Sequence, residues 1–402
     1  MFYGSMNRAI KLFPVLCIAA FLFSSCEGPR GLAGIDGKDG ADGEDANETC
    51  KLCHNSTGVI ATANEYRYSL HFKGEAFEQG VRNNCAPCHS HQGFLDVVRN
   101  NTPVTITANP SNPGSYVNNY VSGSSSLNFP EAFNCFTCHS SLHTDYEATE
   151  FFPLTYSAAV PMAMYGGSKT INFTQTTGNL CAKCHQPRPV TNLSENLIDY
   201  SKLISEPDAL YDTQSLSFRT GVHYGTQAAM AAGIGGIEFG SGYSNSAHVS
   251  GASCTSCHMA APSGYTGGHS FIASGNFKGC NTTGCHSNIG GSSPVFTAVQ
   301  DDIESLLAEL TEKINALGGG VDILQKDPVD GLYHGYLDIY DARSNSEGYW
   351  RNPALGSPAL PDLTNAQIGA IINFQLVVND GSLGVHNYPY IKTLLQNSID
   401  AI

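Results

Sequence analysis

Apolar residues recur at helical spacing only in the C-terminal part of the chain, residues 294–402. Three stretches there place an apolar residue at every third or fourth position, and they predict helices over about 303–317, 364–378 and 389–402. Gly318 begins a run of three glycines that ends the first helix, and Thr364 is the predicted N-cap of the second. This C-terminal helical segment is expected to pack its apolar faces against other helices or against a cofactor.

The chain before residue 294 shows a different pattern. Residues 46–293 have little sustained helical periodicity, Pro103–Ala108 and Thr170–Phe173 are predicted as short strands, and Gly, Ser and Asn are frequent between them. A polar, aromatic insert at 327–361 separates the first two C-terminal helices. The pattern indicates a loop-rich domain followed by a helical segment.

Residues 1–25 have the composition of a secretion signal. Two basic residues precede the apolar run Leu12–Phe23, which is too short to span a membrane. Small residues then lead to Cys26, as in a lipoprotein signal, so Cys26 is the predicted site of lipidation. Ordinary cleavage near Ser25, which would leave Cys26 as a free thiol, is the alternative.

Behind Cys26, residues 26–47 form a linker with glycine at every third position from Gly28 to Gly43. This is the period of collagen, in which only glycine fits the axis of the triple helix. Six triplets with one proline are too few to be stable alone, so a solvated, extended stalk is the favoured interpretation and trimerisation remains the alternative.

The chemistry of the chain is predicted by a repeated Cys-x-x-Cys-His pattern. Its two thiols form thioethers with the vinyl groups of a haem, and the adjacent histidine becomes the proximal ligand of the iron. Zinc binding does not call for a histidine after every second cysteine, and a redox dithiol needs only one copy. Five regular copies and a sixth copy with four intervening residues are present: Cys50/Cys53/His54, Cys85/Cys88/His89, Cys135/Cys138/His139, Cys181/Cys184/His185, Cys254/Cys257/His258 and Cys280/Cys285/His286.

The count of cysteines agrees with six covalent haem c groups as cofactors. Of 14 cysteines, 12 belong to the motifs, and the other two are Cys26 and Cys17, which lies within the signal. The net charge of −15 argues against nucleic acid as a partner and favours basic redox partners. Residues 48–293 are thus predicted to form a hexahaem-binding domain.

The segments around six further histidines resemble the distal-ligand segments of a family of secreted multihaem cytochromes. The resemblance covers residues 48–290 and 363–402, and the C-terminal helices are similar to those of the pentahaem nitrite reductase and octahaem tetrathionate reductase group. Those six, which the resemblance implies to be the distal iron ligands, are His71, His143, His223, His248, His269 and His386.

Two features depart from the family pattern: the stretched sixth motif and the insert at 327–361.

Two histidines are neither motif histidines nor predicted distal ligands. His91 lies two residues after a proximal histidine and is expected at the surface or beside a ligand, and His334 lies in the unmatched insert. The resemblance implies a mostly irregular and α-helical multihaem cytochrome, with a loop-rich core of stacked haems and a C-terminal helical segment.

Two functions follow from the ligand count. If every iron has two imidazoles, the protein is an electron carrier; a reductase of nitrite or sulfur oxyanions would need an open iron and a cationic pocket. No Cys-x-x-Cys-Lys motif is present, and Lys and Arg total only 20. We therefore expect electron transfer to redox partner proteins, with no catalytic residues.

The location is expected to be the outer membrane or cell surface, reached through a lipid anchor, with the periplasmic side left open. The collagen-like stretch or haem stacking could support self-association.

Overall fold

Short helices joined by irregular chain make up most of the structure before residue 294, and longer helices follow. The computed structural model describes residues 58–82, 85–100, 128–140, 152–190, 198–211, 216, 220–327, 329–338 and 360–402, and the backbone of the strands at 106–108 and 116–118. All of these residues belong to one structural unit, 53–402. The expected loop-rich chain with a C-terminal helical segment is confirmed.

The helices before residue 294 have four to nine residues each, which agrees with the lack of long helical periodicity. They are α1 (Val59–Tyr66), α2 (Leu70–Lys73), α3 (Ala86–His89), α4 (His91–Arg99), α5 (Cys135–Cys138), α6 (Thr177–Ala182), α7 (Tyr200–Ser205), α8 (Gln227–Ala232), α9 (His248–Gly251) and α10 (Cys254–His258). Single 3-10 turns occur at Ala76–Val81, Ala163–Tyr165 and Gly268–Ser270.

The strands are short and form two-stranded antiparallel pairs. The pairs are β1 (Ile106–Ala108) with β2 (Tyr116–Asn118), β3 (Val160–Pro161) with β4 (Thr170–Ile171), β5 (Leu210–Tyr211) with β8 (Leu363–Thr364), and β6 (Leu324–Lys326) with β7 (Tyr333–Leu337). Both predicted strands are therefore present, but the second ends at Ile171. The pairing of β6 with β7 gives the start of the insert at 327–361 the form of a hairpin, which the sequence pattern did not predict.

The three predicted C-terminal helices are confirmed as α11 (Pro294–Ala316), α12 (Asn365–Asp380) and α13 (Tyr388–Asp400). Thr364 is the N-cap of α12, and its hydroxyl and the Gln367 side chain form a reciprocal capping box. Lys313 ends α13 by donating to the carbonyl oxygens of Ile399 and Ile402. No helix in the described part of the chain is both long and apolar enough to cross a membrane.

Helix α12 is the centre of the apolar core, because nearly every residue from Asn365 to Val377 is buried. Its buried polar side chains bind the surrounding loops. Asn373 accepts from the amide of Ile237 at 2.8 Å and donates to the carbonyl of Ile237 and the hydroxyl of Ser398, each at 2.8 Å. Gln375 accepts from Val222 N and donates to Gly335 O. These bonds fix the irregular segments on α12, since they satisfy backbone groups that have no strand or helix partner.

The described residues of two regions, 58–140 and 241–302, include few buried apolar side chains. Among these described residues the buried ones are Ala86, Pro87, Phe94, Leu95, Val97 and Ala260. The same regions leave large apolar side chains exposed, among them Ile60, Leu70, Phe72, Phe129, Phe136 and Tyr265. A folded domain seldom leaves so much apolar surface uncovered without an apolar partner. Four of the five motifs within the described residues lie in these two regions.

Asn373→Ala is expected to lower the free energy of unfolding by about 1–3 kcal/mol, because it leaves the buried amide of Ile237 without a partner and removes one of the two bonds to the Ile237 carbonyl. The measurement is the midpoint of denaturant unfolding followed by circular dichroism. Gln396→Ala is the matched control, since this amide lies on the exposed face of α13 and bonds only to Asp400. Equal midpoints for the two variants would contradict this role of Asn373.

Candidate haem-iron sites

Each regular motif in the described part of the chain is one tight helical turn. The amide of the motif histidine donates to the carbonyl of the first cysteine in His89, His139 and His185, at 2.9–3.0 Å. Residues three apart lie on the same face of such a turn, so the two thiols point to one side. Side-chain caps hold two of these turns, from Asn134 at α5 and Ser253 at α10.

The stretched sixth motif recovers the same local geometry despite its extra residues. The amide of His286 donates to the carbonyl of Cys280 at 3.1 Å, the bond that the regular motifs make. Gly284, at φ +87°, turns the intervening loop, and residues 281–288 are exposed. The longer spacing therefore does not exclude the attachment chemistry.

The structure brings each described motif histidine against one of the predicted distal histidines. Each of the five motif histidines faces a different distal histidine. The separations of the ring centres are 6.0 Å for His185 and His71, 6.1 Å for His89 and His223, 6.4 Å for His139 and His269, 6.2 Å for His258 and His386, and 6.1 Å for His286 and His248.

These separations suit a metal ion between two imidazoles. An ion bound by two opposite ring nitrogens at about 2.0 Å each, with each nitrogen about 1.2 Å from its ring centre, separates the ring centres by about 6.4 Å. The five observed distances, 6.0–6.4 Å, lie close to this value. Bis-histidine haem iron therefore fits all five pairs.

Hydrogen bonds at Nδ1 leave Nε2 as the free ligand atom in six of these histidines. Carbonyl, amide and carboxylate oxygens can only accept here, so Nδ1 carries the proton. The acceptors are Ala76 O for His89 (3.0 Å), Phe152 O for His139 (2.8 Å), Gln227 Oε1 for His185 (3.2 Å), Phe271 O for His258 (2.9 Å), Val385 O for His248 (3.2 Å) and Asp380 Oδ1 for His386 (2.6 Å).

Backbone strain is concentrated at these acceptors. In the described part of the chain, three residues other than glycine have positive φ: Phe152, Phe271 and Leu383. Phe152 and Phe271 each present the carbonyl that accepts from a motif histidine, and Leu383 lies in the turn that carries His386. Left-handed backbone is unfavourable for such residues, so it persists where the site requires it. No residue pattern that we analysed in the sequence indicated these acceptor positions.

Burial keeps most of the paired imidazoles neutral, which is the form that binds a metal. It lowers the pKa of His71 to about 4, with a smaller contribution from His185. It also lowers the pKa of His223 to about 4, with contributions from Arg188 and His89. For His386 burial acts in the same direction, but the carboxylate of Asp380 outweighs it and raises the pKa.

The thiols of different motifs approach one another. Cys88 donates to Lys183 O and Cys184 donates to Pro87 O, each at 3.8 Å, and Cys254 donates to Gly178 O at 3.9 Å. Burial raises the pKa of Cys138 to about 12, with a smaller contribution from Cys181. For Cys138, burial thus disfavours the thiolate that a zinc site would use, and it suits an uncharged thioether sulfur.

A buried nitrogen of a cationic side chain lies near one pair. Nε of Arg188 is buried and has no hydrogen-bond partner among the residues that the structure describes. The charge of Arg188 contributes to lowering the pKa of both His89 and His223, so it lies beside that pair. A haem carries propionate groups, and an anionic oxygen is the partner that a buried guanidinium nitrogen needs. This observation also fits a haem at the pair of His89 and His223.

The two histidines left over from the ligand set face none of the five motif histidines in the described part of the chain. His91 Nδ1 lies 2.8 Å from the hydroxyl of Thr137. His334 Nε2 lies 2.8 Å from Asp330 Oδ2, in the exposed hairpin that begins the insert. The first motif (Cys50, Cys53 and His54), the distal candidate His143 and the lipidation candidate Cys26 lie outside the described residues.

Comparisons with known proteins give no relative for this chain: no family model, no curated protein and no solved structure matches it. The interpretation of the site therefore depends on the motifs and on the geometry of the ring pairs.

His269→Ala is expected to convert one haem from low spin to high spin, because it removes the imidazole that faces His139. Electron paramagnetic resonance of the oxidised protein measures this. His91→Ala is the matched control: His91 bonds to Thr137 within the same motif and faces none of the motif histidines that the structure describes. A fully low-spin His269→Ala variant would contradict the assignment of the pair.

Proposed function

We propose that this protein is a hexahaem c-type cytochrome that transfers electrons outside the cytoplasm through bis-histidine haems. The observation that carries the proposal is the one-to-one pairing of five motif histidines with five predicted distal histidines at 6.0–6.4 Å. Haem iron supplies one-electron transfer between its ferric and ferrous states, and the chain supplies attachment, ligands and surroundings.

The ring pairs assign ligands to the haems, which we number in the order of their motifs. The haems of the second to sixth motifs take distal ligands from widely separated parts of the chain. Haem 2 has His89 and His223, haem 3 has His139 and His269, haem 4 has His185 and His71, haem 5 has His258 and His386, and haem 6 has His286 and His248. For haem 1 the resemblance implies His143 as the distal partner of His54, and both residues lie outside the described residues.

Contacts between motifs give the proposed order of the haems. Cys88 of motif 2 donates to Lys183 O of motif 4, and Cys184 of motif 4 donates to Pro87 O of motif 2, each at 3.8 Å. Thr255 of motif 5 hydrogen-bonds Thr177, in the helix that carries Cys181 of motif 4, at 2.8 Å. Gly279, next to motif 6, packs against the backbone of Cys257 of motif 5. Since each thiol would be attached to the edge of a macrocycle, neighbouring motifs would hold neighbouring haems. The proposed path therefore runs from haem 2 through haems 4 and 5 to haem 6. Haem 3 is proposed beside haem 4, because the ring of His71 lies 5.8 Å from that of Phe133, just before motif 3.

The ligand arrangement favours a carrier over an enzyme. An enzyme that reduces nitrite or a sulfur oxyanion needs an iron with an exchangeable position and cationic groups to hold the anion. In the proposed assignment, both axial positions of haems 2–6 are filled by imidazole. The chain also has no Cys-x-x-Cys-Lys motif and a formal charge of −15. Electron transfer to and from partner proteins needs neither an open iron nor an anion pocket.

The N-terminal sequence supports a proposed location at the cell envelope. The apolar run Leu12–Phe23 followed by Cys26 would direct export and lipidation, and the glycine-periodic linker would hold the haem domain away from the membrane. A lipid anchor at the outer membrane or cell surface would bring the haem path near membrane-bound redox partners.

The carrier proposal is tested on purified, haem-loaded protein. A pyridine haemochrome assay is expected to give six haems for each chain. The oxidised protein is expected to show only low-spin signals, and carbon monoxide is expected to leave the spectrum of the reduced protein unchanged, because no coordination position is free. One high-spin haem per chain that binds carbon monoxide or nitrite would overturn the proposal in favour of a reductase. The absence of covalent haem would overturn it altogether.

Cys26→Ala is expected to move the protein from the membrane fraction to the soluble fraction, because it removes the only proposed lipidation site. Immunoblots of both fractions measure this shift. Cys17→Ala is the matched control, since Cys17 is the other cysteine outside the haem motifs and lies within the signal. If Cys26→Ala stays in the membrane fraction, the lipid anchor is wrong.

A further inference from the structure

Six of the described ligands donate a hydrogen bond from Nδ1, and one of the six donates to a carboxylate, whereas the other five donate to neutral oxygens. Asp380 Oδ1 lies 2.6 Å from Nδ1 of His386. The five other ligands that are hydrogen-bonded at Nδ1 face backbone carbonyls or the amide of Gln227. Glu65 Oε2 is 3.9 Å from Nδ1 of His269, which is beyond hydrogen-bonding distance.

The position of Asp380 is unfavourable for a structural carboxylate. Its side chain is fully buried, and it is the last residue of α12, where the helix dipole is negative. Within the described residues no lysine or arginine forms an ion pair with it; the hydroxyl of Ser382 donates to Oδ2, and Nδ1–H of His386 donates to Oδ1. Since a buried anion in such a place is unfavourable for stability, its role is an electrostatic effect on the imidazole of His386, which it contacts.

We propose that Asp380 lowers the reduction potential of haem 5, an inference that depends on the proposed function. By accepting Nδ1–H, the carboxylate draws the proton away from the ring and makes Nε2 of His386 a stronger donor to the iron. Reduction adds one electron to iron(III), so the oxidised form has the larger positive charge and gains more from this donor and from the nearby anion. The effect is large where water is excluded.

The proposed order of the haems gives this effect a consequence for electron flow. Haem 5 is proposed between haem 4 and haem 6, since Thr255 of motif 5 hydrogen-bonds Thr177 in the helix that carries motif 4, and the backbone of Cys257 packs against Gly279 beside motif 6. A lowered potential at this position makes haem 5 an uphill step for an electron that travels along the path. Asp380 thus controls how readily the haem at the exposed sixth motif exchanges electrons with the rest of the array.

The test is a reductive titration of Asp380→Asn, followed by absorbance and by electron paramagnetic resonance. Asparagine keeps an oxygen that can accept from Nδ1–H of His386 and removes the charge. We expect the component of one haem to move to higher potential while the other components superimpose on those of the wild type, with every haem still low-spin. Asp301→Asn is the matched control: it removes a carboxylate that is exposed on α11, and its titration is expected to superimpose on that of the wild type.

A second variant tests the sign of the effect. Ser382→Ala removes the hydroxyl that donates to Asp380 Oδ2 and accepts from the amide of His386, while the amide of residue 382 still donates to Oδ2. The loss of the hydroxyl leaves more negative charge for the His386 imidazole, so the same component is expected to move to lower potential. Opposite shifts in the two variants would not result from a simple loss of packing.

The inference is overturned if Asp380→Asn contains six low-spin haems and its titration superimposes on that of the wild type. If Asp380→Asn does not assemble, an unchanged titration of Ser382→Ala overturns it. Haem stoichiometry, measured on the same samples, separates these results from a failure of the proposed function. A wild-type protein without covalent haem contradicts the cytochrome proposal, whereas a haem-loaded protein without the shifts contradicts only the role of Asp380.

Discussion

The whole arrangement depends on one interaction, the approach of two imidazole rings from opposite sides to a separation that a metal ion can bridge. The rings of each pair come from segments that are far apart in the chain, such as His71 in α2 and His185 after α6. An iron ion between them would act as a cross-link that closes a long loop. Such links, together with the thioether bonds, would reduce the need for long helices and large sheets in a chain of 402 residues.

The apolar core and the ring pairs stabilise different parts of the chain. Where α11, α12 and α13 pack, buried aliphatic side chains and the amide groups of Asn373 and Gln375 hold the neighbouring loops. In 58–140 and 241–302, buried apolar residues are few and large apolar side chains are exposed. The macrocycles proposed for these regions would supply the missing apolar contacts. Asp380 and His386 lie where the two parts meet, because the turn after α12 carries the ligand proposed for haem 5.

The polar groups around the ligands differ from pair to pair, and these differences would give the haems different reduction potentials. A backbone carbonyl, as Phe152 gives to His139, fixes the orientation of the ring without adding a net charge. The Asp380 carboxylate adds a full charge beside His386, and the Arg188 guanidinium places the opposite charge beside His89 and His223. Identical cofactors in similar ligation could in this way have different potentials along one path.

The sequence alone predicted the parts of this protein that depend on local chemistry. It predicted the motif spacing, the three C-terminal helices and the N-cap at Thr364. A helical turn, an apolar stripe or a cap involves residues that are close together in the chain, so its pattern is visible in the sequence. The resemblance selected six distal candidates, but no rule of sequence order predicts their partners. His269 follows motif 5 and faces His139 of motif 3, and His248 precedes motif 5 and faces His286 of motif 6. Those pairings, and the carbonyl and carboxylate groups that orient the rings, were decided only by the tertiary structure, because each depends on how distant segments pack around α12 and around one another.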